Sequence, residues 1–135
     1  MGRIILGAAA GFIVWSVLWI VSNELLAVFF PVWYGARISG YQESLTTGAP
    51  FILDADILIV SLLRGALCSV LAGYLSVSVA RKRVEAAYLL GLLLLLVGIL
   101  MHALTWEHLP LWYHFLFWFM LIPMTVLGGK LRSDR

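Results

Sequence analysis

Residues 57–104 read ILIVSLLRGALCSVLAGYLSVSVA (57–80), RKRVE (81–85) and AAYLLGLLLLLVGILMHAL (86–104). Two long apolar runs thus flank a short basic turn. A hydrocarbon layer of about 30 Å takes roughly 20 apolar residues to cross as a helix. The first run meets that length with one interruption, Arg64, and the second with none. Backbone groups surrounded by lipid must find their hydrogen bonds within the segment, so both runs are read as helices. The alternating ten-residue pattern of a β-barrel strand is absent.

Outward from this hairpin, two further stretches have the same character. Ile4–Phe30 is apolar apart from Ser16 and the polar trio Ser22, Asn23 and Glu24, and Leu111–Leu127 is a shorter run holding Pro123. The 18 uncharged residues from Ile4 to Val21 exceed a signal peptide's apolar region of about 7–15, so the first run is read as a retained span. The expected fold is all-α: a polytopic membrane protein of one four-helix domain, residues 1–135, with spans at about 4–30, 57–80, 86–104 and 111–127 in an antiparallel bundle, and a long outer loop over 31–56. Composition agrees. The 135 residues are 63% hydrophobic and 12% charged, against roughly half and a quarter in soluble domains, and mean hydropathy is +1.02. Such a surplus excludes a small soluble enzyme, a disordered tail and a disulfide scaffold, and the single cysteine, Cys68, sits within an apolar run.

Lysine and arginine set the orientation. Seven of the nine basic residues (Arg3, Arg81, Lys82, Arg83, Lys130, Arg132 and Arg135) fall on one side of the four spans, so both termini are expected to be cytoplasmic. The location expected is a cell membrane crossed several times, the inner one in a bacterium. Net charge of only +2 gives no reason to expect nucleic acid as a partner. The lipid bilayer is one expected partner, and a second copy or a larger membrane complex is another. Trp33, Tyr34, Trp106, Trp112 and Tyr113 are read as an outer interfacial belt. Trp15, Trp19, Tyr74 and Trp118 are read as packing between helices, and Leu92–Leu96 as lipid-facing. Gly35, Gly40, Gly48 and Pro50 mark the outer loop as irregular or as holding a short interfacial helix.

Helices in lipid associate through small residues and close packing. Gly65, Ser69, Ala72, Gly73, Ser76 and Ala80 share about a third of the second helix's circumference. Gly91 and Gly98 lie in line on the third helix with Leu95 and His102. Gly7 and Gly11 form a GxxxG motif on the first, suited to a dimer seam or to a contact within the chain.

Ionisable groups inside a span are costly and need partners, which makes them the leading site candidates. Arg64 lies seven residues beyond Ile57 and Glu24 six residues before Phe30, so both sit roughly 9–10 Å inside the outer boundary at 1.5 Å per residue. They are expected to form an ion pair with Asn23 beside it. His102 and His114 fall at a similar level. The expected site is one outer-leaflet pocket formed by Glu24, Arg64, His102, His114 and Asn23. Asp54 and Asp56 are read as flanking the N-terminus of the second helix, where acidic residues are favourable.

In size and span number the chain resembles small four-helix exporters of the small multidrug resistance type, which carry an acidic residue midway along the first helix. Here Glu24 lies nearer the outer end, Arg64 is foreign to that pattern and the outer loop is longer, so the likeness implies no membership. No catalytic, metal-binding or nucleotide-binding motif is present, so neither an enzyme nor a resident cofactor or metal is expected. Three readings follow: a non-catalytic accessory or interaction protein first; then a small dimeric transporter or channel using the polar pocket; and third a haem- or quinone-binding redox subunit, in which His102 and His114 would serve as axial partners.

Overall fold

A computed structural model describes residues 1–48 and 54–135, and among these there is no strand. The elements are α1 (Gly2–Phe29), a π-helical turn (Pro31–Gly35), α2 (Ala36–Thr47), α3 (Ala55–Val79), α4 (Glu85–Leu104), a 3₁₀ turn (Trp106–His108) and α5 (Leu111–Ser133). The four longest helices, α1, α3, α4 and α5, are long and apolar enough to cross a membrane. Their outer surfaces remain apolar: Val28, Leu63, Leu67, Leu104 and Phe119 are all exposed on the isolated chain. That is the surface expected of helices whose solvent is lipid.

The last helix extends past its expected span, and the outer loop holds a helix, one of its two expected forms. The last helix does not stop at Leu127 but runs on to Ser133. Pro123 removes only the one hydrogen bond that its missing N–H would have given to the Phe119 carbonyl, and the ridge beyond it is held by packing. The outer loop is largely helical, with α2 spanning 12 residues and ending where Gly48 takes φ +75°, a left-handed geometry that costs glycine nothing. Pro50, one of the expected loop markers, lies outside the described residues.

Small residues set the helix arrangement. Along α1 and α3 the contacts run in opposite senses. A Cβ on Gly7 would meet the Ser76 carbonyl at 2.5 Å and Ala80 at 2.9 Å, one on Gly11 would meet Ser76 Cβ at 3.0 Å, and further along Trp15 Nε1 donates to Ser69 Oγ at 3.1 Å. The GxxxG motif is therefore consumed within the chain, against α3 and α4, rather than left open for a second copy. The most extensive contact is between α3 and α5, which run in the same direction. Gly65 faces Phe117 and Met120, Gly73 faces the Thr125 carbonyl, Gly128 faces the Val70 carbonyl, and Arg132 Nε donates to Ser78 Oγ at 2.9 Å. On α4, Gly91 faces Ile122 and Gly98 faces Leu121 of α5. Both chain ends and the Arg81–Arg83 turn consequently lie at one end of the bundle.

That turn carries strain of a simple kind. Arg81 and Lys82 have φ of 56° and 67°, and the Lys82 N–H closes onto the Val77 carbonyl at 2.8 Å. A non-glycine residue pays roughly 1–2 kcal/mol in this region. Lys82→Gly is therefore expected to stabilise the protein by about 1 kcal/mol, read as a rise in the melting temperature of the detergent-solubilised chain.

The aromatics divide differently from the expected belt. Trp106 and Trp112 are exposed, but Tyr34 and Tyr113 turn inward and are buried. Tyr74, expected between helices, is exposed, with the Arg132 guanidinium 5.9 Å from its ring centroid. Within the leucine run Leu94 is buried, because one face of α4 closes the core.

Candidate functional site

The half of the bundle away from the basic turn holds a cavity of about 600 Å³. Its sides are α1, α3 and α4, α2 lies across one end, and Tyr113 and Phe117 of α5 close the back. The volume falls within the roughly 300–1,000 Å³ typical of small-molecule sites. Most of the wall is apolar or aromatic, and the polar groups that reach it include Asn23, Glu24, Tyr34, Arg64 and His102.

Arg64 is the centre of the polar group. It is brought there by the small-residue face of α3, because Gly65 beside it lets α1 and α5 approach closely. The residue is 8% exposed. Its Nη1 donates to the Tyr34 hydroxyl at 2.6 Å and to Asn23 Oδ1 at 3.2 Å, and its Cζ lies 3.9 Å from the centroid of the Trp19 ring. The Tyr34 hydroxyl in turn donates to the same Asn23 oxygen at 2.8 Å. Tyr34 arrives from outside the spans. After Phe30 the chain makes its π-helical turn, with the Tyr34 and Gly35 N–H groups both donating to the Phe30 carbonyl at 2.8 and 3.0 Å. This folds the phenol back beneath α2. Burial raises the Tyr34 pKa, with Arg64 pulling it the other way, so the hydroxyl stays neutral and leaves the guanidinium charge intact.

The expected Glu24–Arg64 ion pair is not formed. Among the described residues the ion pairs are Arg37 with Asp54 and Asp56, and Arg83 with Glu85. Glu24 is exposed at the rim of the cavity, and among the described residues its one hydrogen bond is a 3.5 Å contact from Asn23 Nδ2. Neighbouring residues on a helix point about 100° apart, so when Asn23 faces Arg64, Glu24 cannot. Among the described residues the buried cation therefore has neutral partners only, and its Nε has no hydrogen-bond partner.

The histidines form a second polar group. His102 reaches the cavity, whereas His114 lies behind it, fully buried and absent from the wall. Their Nδ1 atoms face each other at 2.7 Å, so only one of the two can carry a proton there. His114 stacks on Trp106 at 4.4 Å and 3°, with its Nε2 3.4 Å from the Trp106 carbonyl. That carbonyl favours a proton on Nε2, which makes His102 Nδ1 the donor between the rings. Two imidazoles in axial positions on one metal have their ligand nitrogens about 4 Å apart, given metal–nitrogen bonds of about 2 Å. The facing Nδ1 atoms are too close for that, which removes the geometry on which axial ligation by this pair would rest.

Asp54 and Asp56 flank the start of α3 as expected, and they also anchor the neighbouring segment. Trp33 Nε1 donates to Asp56 Oδ2 at 2.7 Å, and Arg37 Nη1 lies 3.1 Å from Asp54 and 3.2 Å from Asp56. These contacts hold the π-helical turn and α2 over the cavity.

No protein family, curated protein or solved structure matches this chain. Its function is therefore argued from the site.

Proposed function

We propose that this chain is a non-enzymatic integral membrane protein that binds a membrane-soluble ligand in its side cavity, acting as a binding or accessory component of the bilayer rather than as a catalyst. The observation that carries this reading is the cavity itself: about 600 Å³, apolar along most of its wall, with Asn23 and Tyr34 gathered around Arg64. In this reading both termini are cytoplasmic, and the cavity lies in the outer leaflet of a cell membrane, the inner membrane in a bacterium. Support comes from the basic residues, seven of nine of which flank the opposite end of the bundle. The inward use of Gly7 and Gly11 leaves lipid, rather than a GxxxG-paired second copy, as the first neighbour of α1. Fusions of a cytoplasm-active reporter to each terminus test the orientation, and both are expected to be active.

The exposed carboxylate of Glu24 at the rim favours one second reading, a carrier in which the ligand passes Glu24 on its way to Arg64. Ligand flux into liposomes separates the two, because a binding protein shows saturable retention without flux.

Val97 lies on the cavity wall from α4. Val97→Trp is expected to fill the cavity and remove the bound ligand while leaving the fold intact. Native mass spectrometry of protein released from lipid nanodiscs provides the readout. The wild type should retain an adduct of lipid-like mass that the variant lacks. A wild-type chain that emerges bare, or a variant that keeps the same adduct, overturns the reading.

A further inference from the structure

The cavity's chemistry narrows its ligand, and this inference rests on the binding reading above. Three observations coincide. Arg64 lines the cavity, is more than nine-tenths buried and carries a full charge. The described residues place no carboxylate in contact with it, and its Nε donor is unpartnered. Most of the wall around it is apolar, with groups such as Ile20, Leu45, Leu58, Leu94 and Val97, and Ser61, Gln42 and Thr105 add neutral polar groups.

A buried guanidinium offers five donors in a planar fork suited to two oxygens of one anion. Among the described residues its side-chain hydrogen bonds to Asn23 and Tyr34 both use Nη1, and both go to neutral acceptors. An uncompensated cation in a low-dielectric site is expensive, and the face of Trp19 relieves only part of that cost. A ligand that brings an oxyanion supplies the missing charge. A ligand that also brings a hydrocarbon tail fills the remaining wall. Taking a chain methylene at about the volume of a liquid water, roughly 30 Å³, the cavity holds on the order of twenty heavy-atom groups. That matches a single acyl chain with a compact head and falls short of two chains.

We infer that the cavity binds a single-chain anionic amphiphile, with its carboxylate or phosphate head on Arg64 and its alkyl chain along α1 and α4. The head is positioned by the same Asn23–Tyr34 pair that fixes the guanidinium. Glu24 at the rim repels a second anion, so one head is held per site.

The test uses the full chain in nanodiscs of zwitterionic lipid and reads quenching of tryptophan emission by brominated amphiphiles. Dibromostearate is the carboxylate probe and a dibrominated lysophosphatidic acid the phosphate probe. The dibrominated stearyl alcohol is the neutral probe, and acetate and inorganic phosphate test a head without a tail. At least one anionic probe is expected to bind tenfold or more tighter than the alcohol, and the better of the two identifies the head. Neither free anion should displace it at millimolar concentration. Arg64→Gln should erase the preference by weakening the anionic probe tenfold or more beyond any change in the alcohol, and Arg64→Lys should keep part of it. If Arg64→Gln does not fold, the wild-type preference and the Arg64→Lys variant decide. Equal binding of anion and alcohol overturns the anionic assignment and leaves the cavity reading standing. Displacement by acetate or phosphate alone overturns the amphiphile assignment. Failure of every probe, the alcohol included, overturns the cavity reading itself.

Discussion

Gly73→Leu and Gly128→Leu are each expected to abolish the folded four-helix state. A Cβ built on Gly73 falls on the Thr125 carbonyl of α5, and one built on Gly128 falls on the Val70 carbonyl of α3. In both cases the obstacle is backbone, which cannot swing aside as a side chain can. The two helices would have to move apart along the whole α3–α5 contact, the most extensive in the molecule. In lipid that close contact is the main source of helix association, since hydrocarbon solvates apolar side chains as well as another helix does. Ordinary overpacking costs about 1–3 kcal/mol, and opposed backbone places these two substitutions at or above the top of that range. The expected result is loss of the monodisperse peak on size exclusion in detergent and a fall of more than 10 °C in the helix-melting transition. That shift corresponds to about 3 kcal/mol at the few degrees per kcal/mol of a domain this size. Gly2→Leu is the matched control, because nothing lies within 4 Å of its added Cβ. A Gly73→Leu protein melting with the wild type would mean that α3 and α5 are not held by this seam.

Why that seam was only half visible in the sequence is instructive. Small residues recurring at helical spacing on α3 mark a contact face without saying which helix fills it. The answering face of α5, Gly128 and Gly129, lies past Pro123 and next to Lys130. Proline and a charge together read as the end of a span, yet one missing hydrogen bond does not stop a helix whose far end is packed. The segment from Pro31 to Thr47 was harder still, because its polar composition carries no strong periodicity and its role depends on a turn that returns Tyr34 to the core. The spans themselves were legible because bilayer thickness imposes a length that few other constraints imitate.

The polar site shows the same division between depth and direction. Counting residues gives a position along the helix axis, and Arg64, Glu24 and His102 do reach one cavity. It does not give the angle around the axis. Charge made Glu24 the natural partner for Arg64, but Asn23, one residue away, owns the inward angle. His114 likewise shares the level of His102 yet lies behind it. Tyr34 gave a usable signal that composition obscured: an aromatic hydroxyl just after Pro31, close enough to the first span to fold back onto it.

The sharpest consequence is a reversal of what charge alone would suggest. Asn23→Leu is expected to destabilise the protein by about 3 kcal/mol, whereas Glu24→Gln should change it by no more than about 0.5 kcal/mol. Asn23 Oδ1 accepts from both Arg64 Nη1 and the Tyr34 hydroxyl. Removing it takes a hydrogen bond from a buried charge, worth about 1.5–3 kcal/mol, and leaves the phenol's donor unpaired as well. Glu24 is exposed, and among the described residues it accepts one long hydrogen bond, from Asn23, so its substitution should stay within about 0.5 kcal/mol. The double variant Asn23→Leu with Arg64→Leu should recover part of the loss, because the stranded charge is gone and of this network the Tyr34 hydroxyl remains. Thermal melts of the three variants in one detergent measure all of this. If Glu24→Gln proves as damaging as Asn23→Leu, the carboxylate is the true counter-ion and the neutral network around Arg64 is wrong. If the double variant is no better than Asn23→Leu alone, the cost comes from packing rather than from a charge left without its acceptor.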